Sequence, residues 1–175
     1  MSNTKLVSNA TILIADDNTD NLRLLQEYLE AEDYQLRLAT NGDMAIKSAL
    51  ASTPDLILLD IHMPQVDGYE ACRQIKSYSQ LKNIPVIFLS ALSENFNKLK
   101  AFELGAVDYI VKPFELQEVR ARVQTHLKNS QQMADIERFN KVMMNREVRI
   151  IELKKEVNQL LKAAGEKLKY PSVED

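Results

Sequence analysis

Two hydrophobic periodicities alternate along the first two thirds of the chain. Short apolar runs rich in branched residues predict five β-strands, at Thr11–Ala15, Gln35–Ala39, Leu56–Leu59, Val86–Leu89 and Val107–Val111. The segments between these runs have the spacing of amphipathic helices, at Asn18–Glu32, Met44–Leu50, Tyr69–Ile75 and Phe96–Leu104, with a last helix beginning after Pro113. This alternation predicts an α/β fold, a doubly wound five-stranded parallel sheet covered by helices on both faces.

Glycine and proline divide the chain into two parts. Three of the four glycines and four of the five prolines lie before residue 127, and between Pro113 and Gly165 there is neither. That stretch can therefore form one uninterrupted helix. We expect a globular domain over residues 10–127, a helix over residues 128–164 that continues the last helix of this domain, and a polar tail over residues 165–175.

Charged and hydroxyl side chains follow the predicted strands at their carboxyl ends. In open parallel sheets this edge carries the functional crevice, so we expect three carboxylates, a hydroxyl and an ammonium to converge there. In chain order the set is Asp16 and Asp17, Asp60, Ser90 and Ala91, and Lys112 and Pro113. A single aspartate at a strand end is often only a turn former or a helix N-cap, and Asp17 alone could be that. The prediction of a site depends on the joint pattern.

The residue types in this set suit phosphoryl chemistry. Adjacent carboxylates repel one another unless a cation lies between them, and oxygen ligands without a cysteine or histidine cluster favour a hard ion such as Mg²⁺. A carboxylate can also attack phosphorus to give an acyl phosphate, whose charge the metal offsets. Lys112 would then pair with one phosphoryl oxygen, and Ser90 would donate a hydrogen bond to another.

Four segments resemble the receiver domain of two-component response regulators. They are Asp16-Asp17, Leu58–Glu70 (LLDIHMPQVDGYE), Phe88–Ala91 (FLSA) and Gly105–Phe114 (GAVDYIVKPF), and the resemblance covers about residues 10–127. It implies a flavodoxin-like sheet with strand order 2-1-3-4-5, a sensor histidine kinase as phosphodonor, and one Mg²⁺ per receiver.

The resemblance also assigns roles to individual residues. Asp60 would be the phosphoacceptor. Asp17, Asp60 and the backbone carbonyl of His62 would ligate Mg²⁺, and Asp16 would act through water. The phosphoryl-binding and switch residues would be Ser90, Ala91, Tyr109, Lys112 and Pro113, and the Lys112–Pro113 peptide is often cis in this family.

The same resemblance implies how phosphorylation would be transmitted. Ser90 would move towards phosphorylated Asp60 and Tyr109 would turn inward, which would change the surface of the fourth helix, fifth strand and fifth helix. His62 and Leu92 are less typical of the family at their positions. An imidazole and an apolar group there would shield the acyl phosphate, so we expect slow self-dephosphorylation. We expect a phosphoacceptor with at most self-phosphorylation from small donors, not an enzyme.

Composition excludes several other classes of protein. The net charge is -3 and the pI is about 5.5, so strong non-specific nucleic-acid binding is not expected. One cysteine, Cys72, excludes an internal disulfide; it is expected in the core, and His126 at the surface. No apolar run approaches the roughly 20 residues of a membrane span, and the polar N-terminus does not resemble a secretory signal. We therefore expect a cytoplasmic protein without membrane or nucleic-acid partners.

The second part of the chain has heptad spacing. With Ile136 taken as position a, eight of the nine a and d residues are apolar, and Arg146 is the exception. This pattern predicts a coiled coil and a homodimer. The predicted dimer seam consists of Ile136, Phe139, Met143, Ile150, Leu153, Val157 and Leu160, followed by Ala164. Arg146 would weaken the seam locally, or pair with Glu147 or with a glutamate of the partner chain.

A second apolar stripe on this helix leaves other arrangements open. It consists of Met144, Val148 and Ile151, and it allows a single amphipathic helix folded back on its own domain, a partner helix or a four-helix assembly. Met143–Leu161 also resembles helical connectors that precede catalytic output domains of sensor kinases and diguanylate cyclases. Here Gly165–Asp175 follows, which has no room for a DNA-binding module. The helix is then either the output itself, acting on a downstream protein or domain, or the linker of a larger regulator such as a diguanylate cyclase or hybrid sensor kinase.

Two other classes of protein are weighed against the receiver. A phosphatase with an aspartate nucleophile usually has a second aspartate two residues later, and His62 occupies that position. A dinucleotide-binding protein needs a glycine-rich turn after the first strand, and Asp16–Asp20 contains no glycine. Both alternatives are therefore less favoured.

Overall fold

The computed structural model describes residues 9–91 and 98–171 and contains one parallel sheet. Its strands lie in the order β2-β1-β3-β4-β5, which confirms the predicted α/β fold and strand order. The strands are β1 (Thr11–Ala15), β2 (Gln35–Ala39), β3 (Leu56–Asp60), β4 (Val86–Ala91) and β5 (Asp108–Lys112). The helices are α1 (Thr19–Glu30), α2 (Gly42–Ala51), α3 (Gly68–Ser77), α4 (Lys98–Glu103) and α5 (Leu116–Ala163). Among the described residues, none of these helices is long and apolar enough to cross a membrane.

Three strands run further than their apolar runs predict. Asp60 pairs with Leu89 in the ladder between β3 and β4, and Ala91 pairs with Lys112 between β4 and β5. A strand is defined by main-chain hydrogen bonds, so the ladder continues past the point where the side chains change from apolar to polar. Asp60 and Lys112 consequently lie on the rigid sheet, not in the loops after it.

The sheet separates two layers of core side chains. Along β1, Leu13 packs in the cluster on one face, whereas Ile12 and Ile14 pack in the cluster on the other face. All five residues of β3 are buried, as expected for a central strand covered on both faces. Because each face is covered, the ligand-accessible region is the edge where the strands end.

Side-chain caps begin the helices that follow the first three strands. The Oδ1 of Asn18 accepts hydrogen bonds from the backbone N–H groups of Asp20 (2.9 Å) and Asn21 (3.3 Å) at the start of α1. Asp67 caps α3 by accepting from the N–H of Glu70 at 2.8 Å. Asn18, and not Asp17, is therefore the N-cap of α1. The Asp17 side chain is left exposed at the carboxyl edge of the sheet.

Two residues outside the acidic set show where burial could and could not be predicted. Cys72 is fully buried, as expected, and burial raises the pKa of its thiol to about 11.

His126 is not an ordinary surface residue, so that expectation was wrong. Its Nε2 lies 3.0 Å from an Asp108 carboxylate oxygen, which also accepts from Arg122 at 2.7 Å. This pairing across β5 and α5 is invisible to helical periodicity, because it joins residues that are distant in sequence.

The chain divides into two compact units, Met1–Gln131 and Gln132–Asp175. In the second unit, α5 ends at Ala163, and Gly165, two residues later, adopts a positive φ of 73°. The N–H of Glu166 then donates to the carbonyl of Leu161 at 2.8 Å, a pattern typical of a glycine-terminated helix. Asn158 holds the chain that follows, since its side chain donates to the carbonyl of Tyr170 (2.9 Å) and accepts from that residue's N–H (3.1 Å).

Gly68 marks a close approach between α3 and the strand that carries Asp60. A Cβ at this position would overlap the backbone carbonyl oxygen of Asp60 and lie 2.8 Å from the Cα of Ile61. Backbone cannot give way as a flexible side chain can, so we predict that Gly68→Ala lowers the free energy of unfolding by about 3 kcal/mol. Chemical denaturation measures the change.

Gly105→Ala is the matched control for this variant. Gly105 has a φ of 90°, but an added Cβ would meet only the flexible Lys76 side chain, at 3.5 Å. Its cost should therefore be limited to the left-handed backbone conformation, about 1–2 kcal/mol. A Gly68→Ala protein as stable as the Gly105→Ala protein would show that the backbone approach is not a packing constraint.

Candidate functional site

Three carboxylates meet at the carboxyl edge of the sheet. Asp16 directly follows β1, Asp17 comes next, and Asp60 is the last residue of the neighbouring strand β3. One oxygen from each lies within 4.8 Å of the others. Asp16 and Asp60 are 0% and 3% exposed, whereas Asp17 faces solvent. The sheet thus forms an acidic pocket with one open side.

Lys112 bridges the two buried carboxylates. Its Nζ lies 2.7 Å from Oδ2 of Asp16 and 3.0 Å from Oδ1 of Asp60. Burial alone would lower the pKa of Lys112, but the hydrogen bonds to both carboxylates outweigh burial and hold the pKa above its ordinary value. The ammonium therefore stays charged.

Asp60 has an unfavourable environment for its charge. Burial raises the pKa of Asp60, the hydrogen bond and charge of Lys112 only partly offset this, and Asp16 and Asp17 raise it further. Three carboxylates against one ammonium leave an excess of negative charge in a small volume. A divalent cation with oxygen ligands would relieve that excess, so the donor set fits Mg²⁺.

Asp16 has donors that the sequence patterns did not identify. Besides Lys112, it accepts from the backbone N–H of Asn18 at 2.9 Å. The side-chain amide of Asn21 donates to its Oδ2 at 3.1 Å and approaches its Oδ1 at 3.4 Å. The available signal was positional, since Asn21 lies in the first turn of the helix that follows Asp16, but helix periodicity alone does not show where its amide points.

The predicted switch residues lie on the two strands at one end of the sheet. Ser90 on β4 is completely buried, and its hydroxyl donates to the carbonyl of Ala91 at 3.0 Å. Tyr109 on β5 is half-buried. The ring of Phe102 contacts it edge-on at 6.4 Å between centroids, and Nζ of Lys98 lies 4.7 Å from its centroid. Both contacts come from α4, so Tyr109 joins β5 to that helix.

Two of the remaining predicted residues, His62 and Pro113, come shortly after strands β3 and β5. His62 is exposed two residues after Asp60, and the peptide between Lys112 and Pro113 is cis. Leu92 lies outside the described residues. The ligand role of the His62 carbonyl and the roles given to Ala91 and Pro113 stay predictions.

Comparison with known proteins gives the family. The family model of the response regulator receiver domain matches residues 12–124 of this chain. The chain belongs to this family. Receiver domains are phosphoacceptors that take the phosphoryl group from histidine kinases and bind Mg²⁺ in an acidic pocket.

Two relatives are longer than the segment that matches this chain. The transcriptional regulatory protein ResD of Bacillus subtilis is 47% identical over 121 residues, which are 69% of this chain and 49% of ResD. A probable cyclic di-GMP phosphodiesterase of Vibrio cholerae is 42% identical over 123 residues, 70% of this chain and 28% of that protein. The chain thus spans half or less of the length of these relatives.

A solved receiver domain has the same fold and holds a metal. It is the receiver of the sensor histidine kinase PA1611 from Pseudomonas aeruginosa, with a magnesium ion coordinated in its active-site cleft. The TM-score is 0.65 and the identity 29%, and the match covers 69% of this chain and 99% of that one.

The environment of Asp60 predicts a stability change on neutralising it. In Mg²⁺-free buffer at pH 7, Asp60→Asn should raise the free energy of unfolding, because the folded state disfavours the buried charge. A carboxyl with a raised pKa in the folded state binds more protons there than in the unfolded state. The wild-type protein therefore gains stability as the pH falls from the folded-state pKa of Asp60 to its unfolded-state pKa. The advantage of the variant should therefore shrink as pH falls towards 4.

Urea unfolding at pH 7 and at about pH 4 tests this prediction. Asp67→Asn is the control, because Asp67 is exposed and asparagine keeps the N-cap acceptor of α3. An Asp60→Asn protein less stable than wild type at pH 7 would mean that the ion pair with Lys112 outweighs the burial of the charge.

Proposed function

We propose that this chain is the receiver of a two-component phosphorelay in which Asp60 accepts a phosphoryl group from a cognate sensor histidine kinase in a Mg²⁺-dependent reaction. The convergence of Asp16, Asp17 and Asp60 within 4.8 Å, beside the charged Lys112, carries this proposal. A phosphatase with an aspartate nucleophile stays less favoured, since His62 stands where its second aspartate would lie.

The reaction follows from the position of Asp60. A carboxylate oxygen attacks phosphorus as the phosphorus–nitrogen bond of a phosphohistidine breaks, and the electron pair of that bond remains on the imidazole nitrogen. Asp17, Asp60 and the His62 carbonyl would hold one Mg²⁺, with Asp16 acting through water. The ion supplies positive charge to the phosphoryl oxygens.

Lys112 contributes by changing partners. In this structure its ammonium is shared by Asp16 and Asp60. Phosphorylation of Asp60 converts one carboxylate oxygen to an ester-like oxygen and adds a phosphoryl group with strong acceptors. We propose that Lys112 then pairs with a phosphoryl oxygen, and that Ser90 gives up its bond to the Ala91 carbonyl to donate to another.

The switch mechanism is proposed on the contacts of Tyr109. Movement of Ser90 opens space beside β4, and Tyr109 turns inward, away from Phe102 and Lys98 of α4. The surface formed by α4, β5 and α5 changes as a result. His62, with Leu92, is proposed to slow hydrolysis of the acyl phosphate by shielding it from water, and no other catalytic activity is proposed.

The helix after the receiver is proposed to form a homodimer. Six of the seven predicted seam residues are between 37% and 71% exposed within the single chain. They are Ile136, Phe139, Met143, Ile150, Leu153 and Leu160. An exposed apolar stripe of this length is typical of a surface that a second helix covers.

The structure offers a reason to favour the a and d seam over the second apolar stripe. The chain after Gly165 returns along α5, where Leu168 and Pro171 form a pocket with Ile151 and Asn158. Ile151 and Asn158 are seven residues apart and lie on the side of the second stripe. The chain's own tail thus occupies the end of that stripe, while six of the seven predicted seam residues remain exposed.

Charges beside the seam support a parallel dimer. Within the described chain, neither Arg146 nor Glu147 forms an ion pair, whereas Arg149 pairs with Glu152 at 2.9 Å. Neighbouring residues of a helix do not face each other, so Arg146 and Glu147 cannot pair within one chain. In a parallel coiled coil a d residue lies beside the e residue of the other helix, which would bring Arg146 of one chain to Glu147 of its partner.

The wider context is proposed from the sequence and the relatives. We propose a receiver over residues 10–127, a dimerising helix over residues 128–164 and a polar tail over residues 165–175. The protein would act in the cytoplasm on a downstream protein or domain. Nucleic-acid and membrane contacts are not part of the proposal. The alternative is a receiver and linker that belong to a larger regulator, which the greater length of the relatives supports.

Phosphoryl uptake tests the proposed acceptor. Asp60→Asn should abolish labelling by radioactive acetyl phosphate in the presence of Mg²⁺, because an amide is not a nucleophile towards phosphorus. The folded control Asp67→Asn should be labelled like the wild type. Labelling of the Asp60→Asn protein at the wild-type level would refute the site. Rapid release of phosphate over many cycles by the wild type would favour the phosphatase.

A charge exchange tests the parallel dimer. Arg146→Glu and Glu147→Arg each place like charges beside the seam and should weaken the dimer about tenfold or more. The double exchange restores opposite charges across a parallel dimer and should recover most of the affinity. Sedimentation equilibrium of the full chain measures each dissociation constant. A monomeric wild type would refute dimerisation, and single variants without rescue in the double exchange would refute the parallel pairing.

A further inference from the structure

We propose that Asn21 is a positioning residue of the metal pocket, whose amide orients the Asp16 carboxylate for Mg²⁺ binding and remains as its donor when Lys112 pairs with the phosphoryl group. This inference rests on the proposed function of the acidic pocket. The first turn of α1 would then contribute to Mg²⁺ affinity as well as to the fold.

The geometry shows two uncharged donors on Asp16 that come from the same short segment. The N–H of Asn18 donates to Oδ1 at 2.9 Å, and the amide of Asn21 donates to Oδ2 at 3.1 Å. The Asn21 side chain is itself half-buried, which limits its freedom to turn elsewhere. Each oxygen of the carboxylate thus has a donor that is fixed by the start of α1.

Oδ2 is the oxygen whose environment must change during the reaction. Lys112 donates to this same atom at 2.7 Å in the present structure. Once Lys112 pairs with a phosphoryl oxygen, Oδ2 would be buried without a donor if Asn21 were absent, and an unsatisfied buried carboxylate oxygen is strongly disfavoured. The Asn21 amide supplies a donor that carries no charge and therefore does not repel an incoming cation as an ammonium does.

The same residues predict a measurable division of roles between Asn18 and Asn21. The Asn18 side chain caps α1, whereas its contact with Asp16 is made by its backbone N–H. Replacing the Asn18 side chain therefore removes the cap and keeps the donor. Replacing Asn21 by leucine, which has a similar shape, removes the donor and keeps the cap.

Mg²⁺ titration of the full chain, by calorimetry, is the experiment. Asn21→Leu should raise the Mg²⁺ dissociation constant about tenfold, and acetyl phosphate labelling should return towards the wild-type level at saturating Mg²⁺. Asn18→Ala should lower the thermal midpoint of the metal-free protein and leave the Mg²⁺ dissociation constant within about twofold. Asn21→Gln, which keeps the amide, should recover part of the affinity, and Asn21→Ala replaces the leucine variant if that one does not fold.

The outcomes separate this inference from the proposed function. A wild-type chain that binds no Mg²⁺ and takes up no phosphoryl group refutes both. A wild type that does both, with an unchanged Mg²⁺ dissociation constant in Asn21→Leu, refutes only the role of Asn21. Equal losses of affinity in Asn18→Ala and Asn21→Leu would also refute it, because they would show a general effect of the start of α1.

Discussion

The ammonium of Lys112 between the Asp16 and Asp60 carboxylates is the interaction on which the acidic edge depends. Three carboxylates so close together repel one another, and the single positive charge of Lys112 forms ion pairs with two of them. Lys112 offsets only part of the cost of a negative charge on Asp60, since burial and the neighbouring carboxylates still raise the pKa of that residue. The pocket therefore keeps an excess of negative charge that a divalent cation can relieve.

Much of the fold and the acidic set could be predicted from the sequence because both depend on strongly local signals. The apolar runs of the central strands identify a sheet buried on both faces, and the polar residues directly after them identify its carboxyl edge. Strand ends were less well predicted, since Asp60 and Lys112 join the hydrogen-bonded ladder although their side chains are charged. Main-chain pairing continues wherever a neighbouring strand is present, whatever the side chain.

The missed contacts share a different physical origin. Asn21 reaches Asp16 across a turn, and His126 on α5 reaches Asp108 at the start of β5. Both are hydrogen bonds whose partners depend on how helices lie against the sheet, which hydrophobic periodicity does not encode. Similarly, the heptad pattern favours the a and d seam but leaves the second apolar stripe on α5 open, and the return of the tail along the side of Ile151 adds a structural reason to separate them.

The burial of Cys72 has a practical consequence for following motions in this molecule. It is the single cysteine of the chain, and its thiol stays protonated at neutral pH because it faces the core from α3. Maleimide and iodoacetamide reagents require an accessible thiolate, so the native side chain reacts very slowly. A cysteine introduced at an exposed position can then carry a spin label or a fluorophore site-selectively, with the native sulfur left in place.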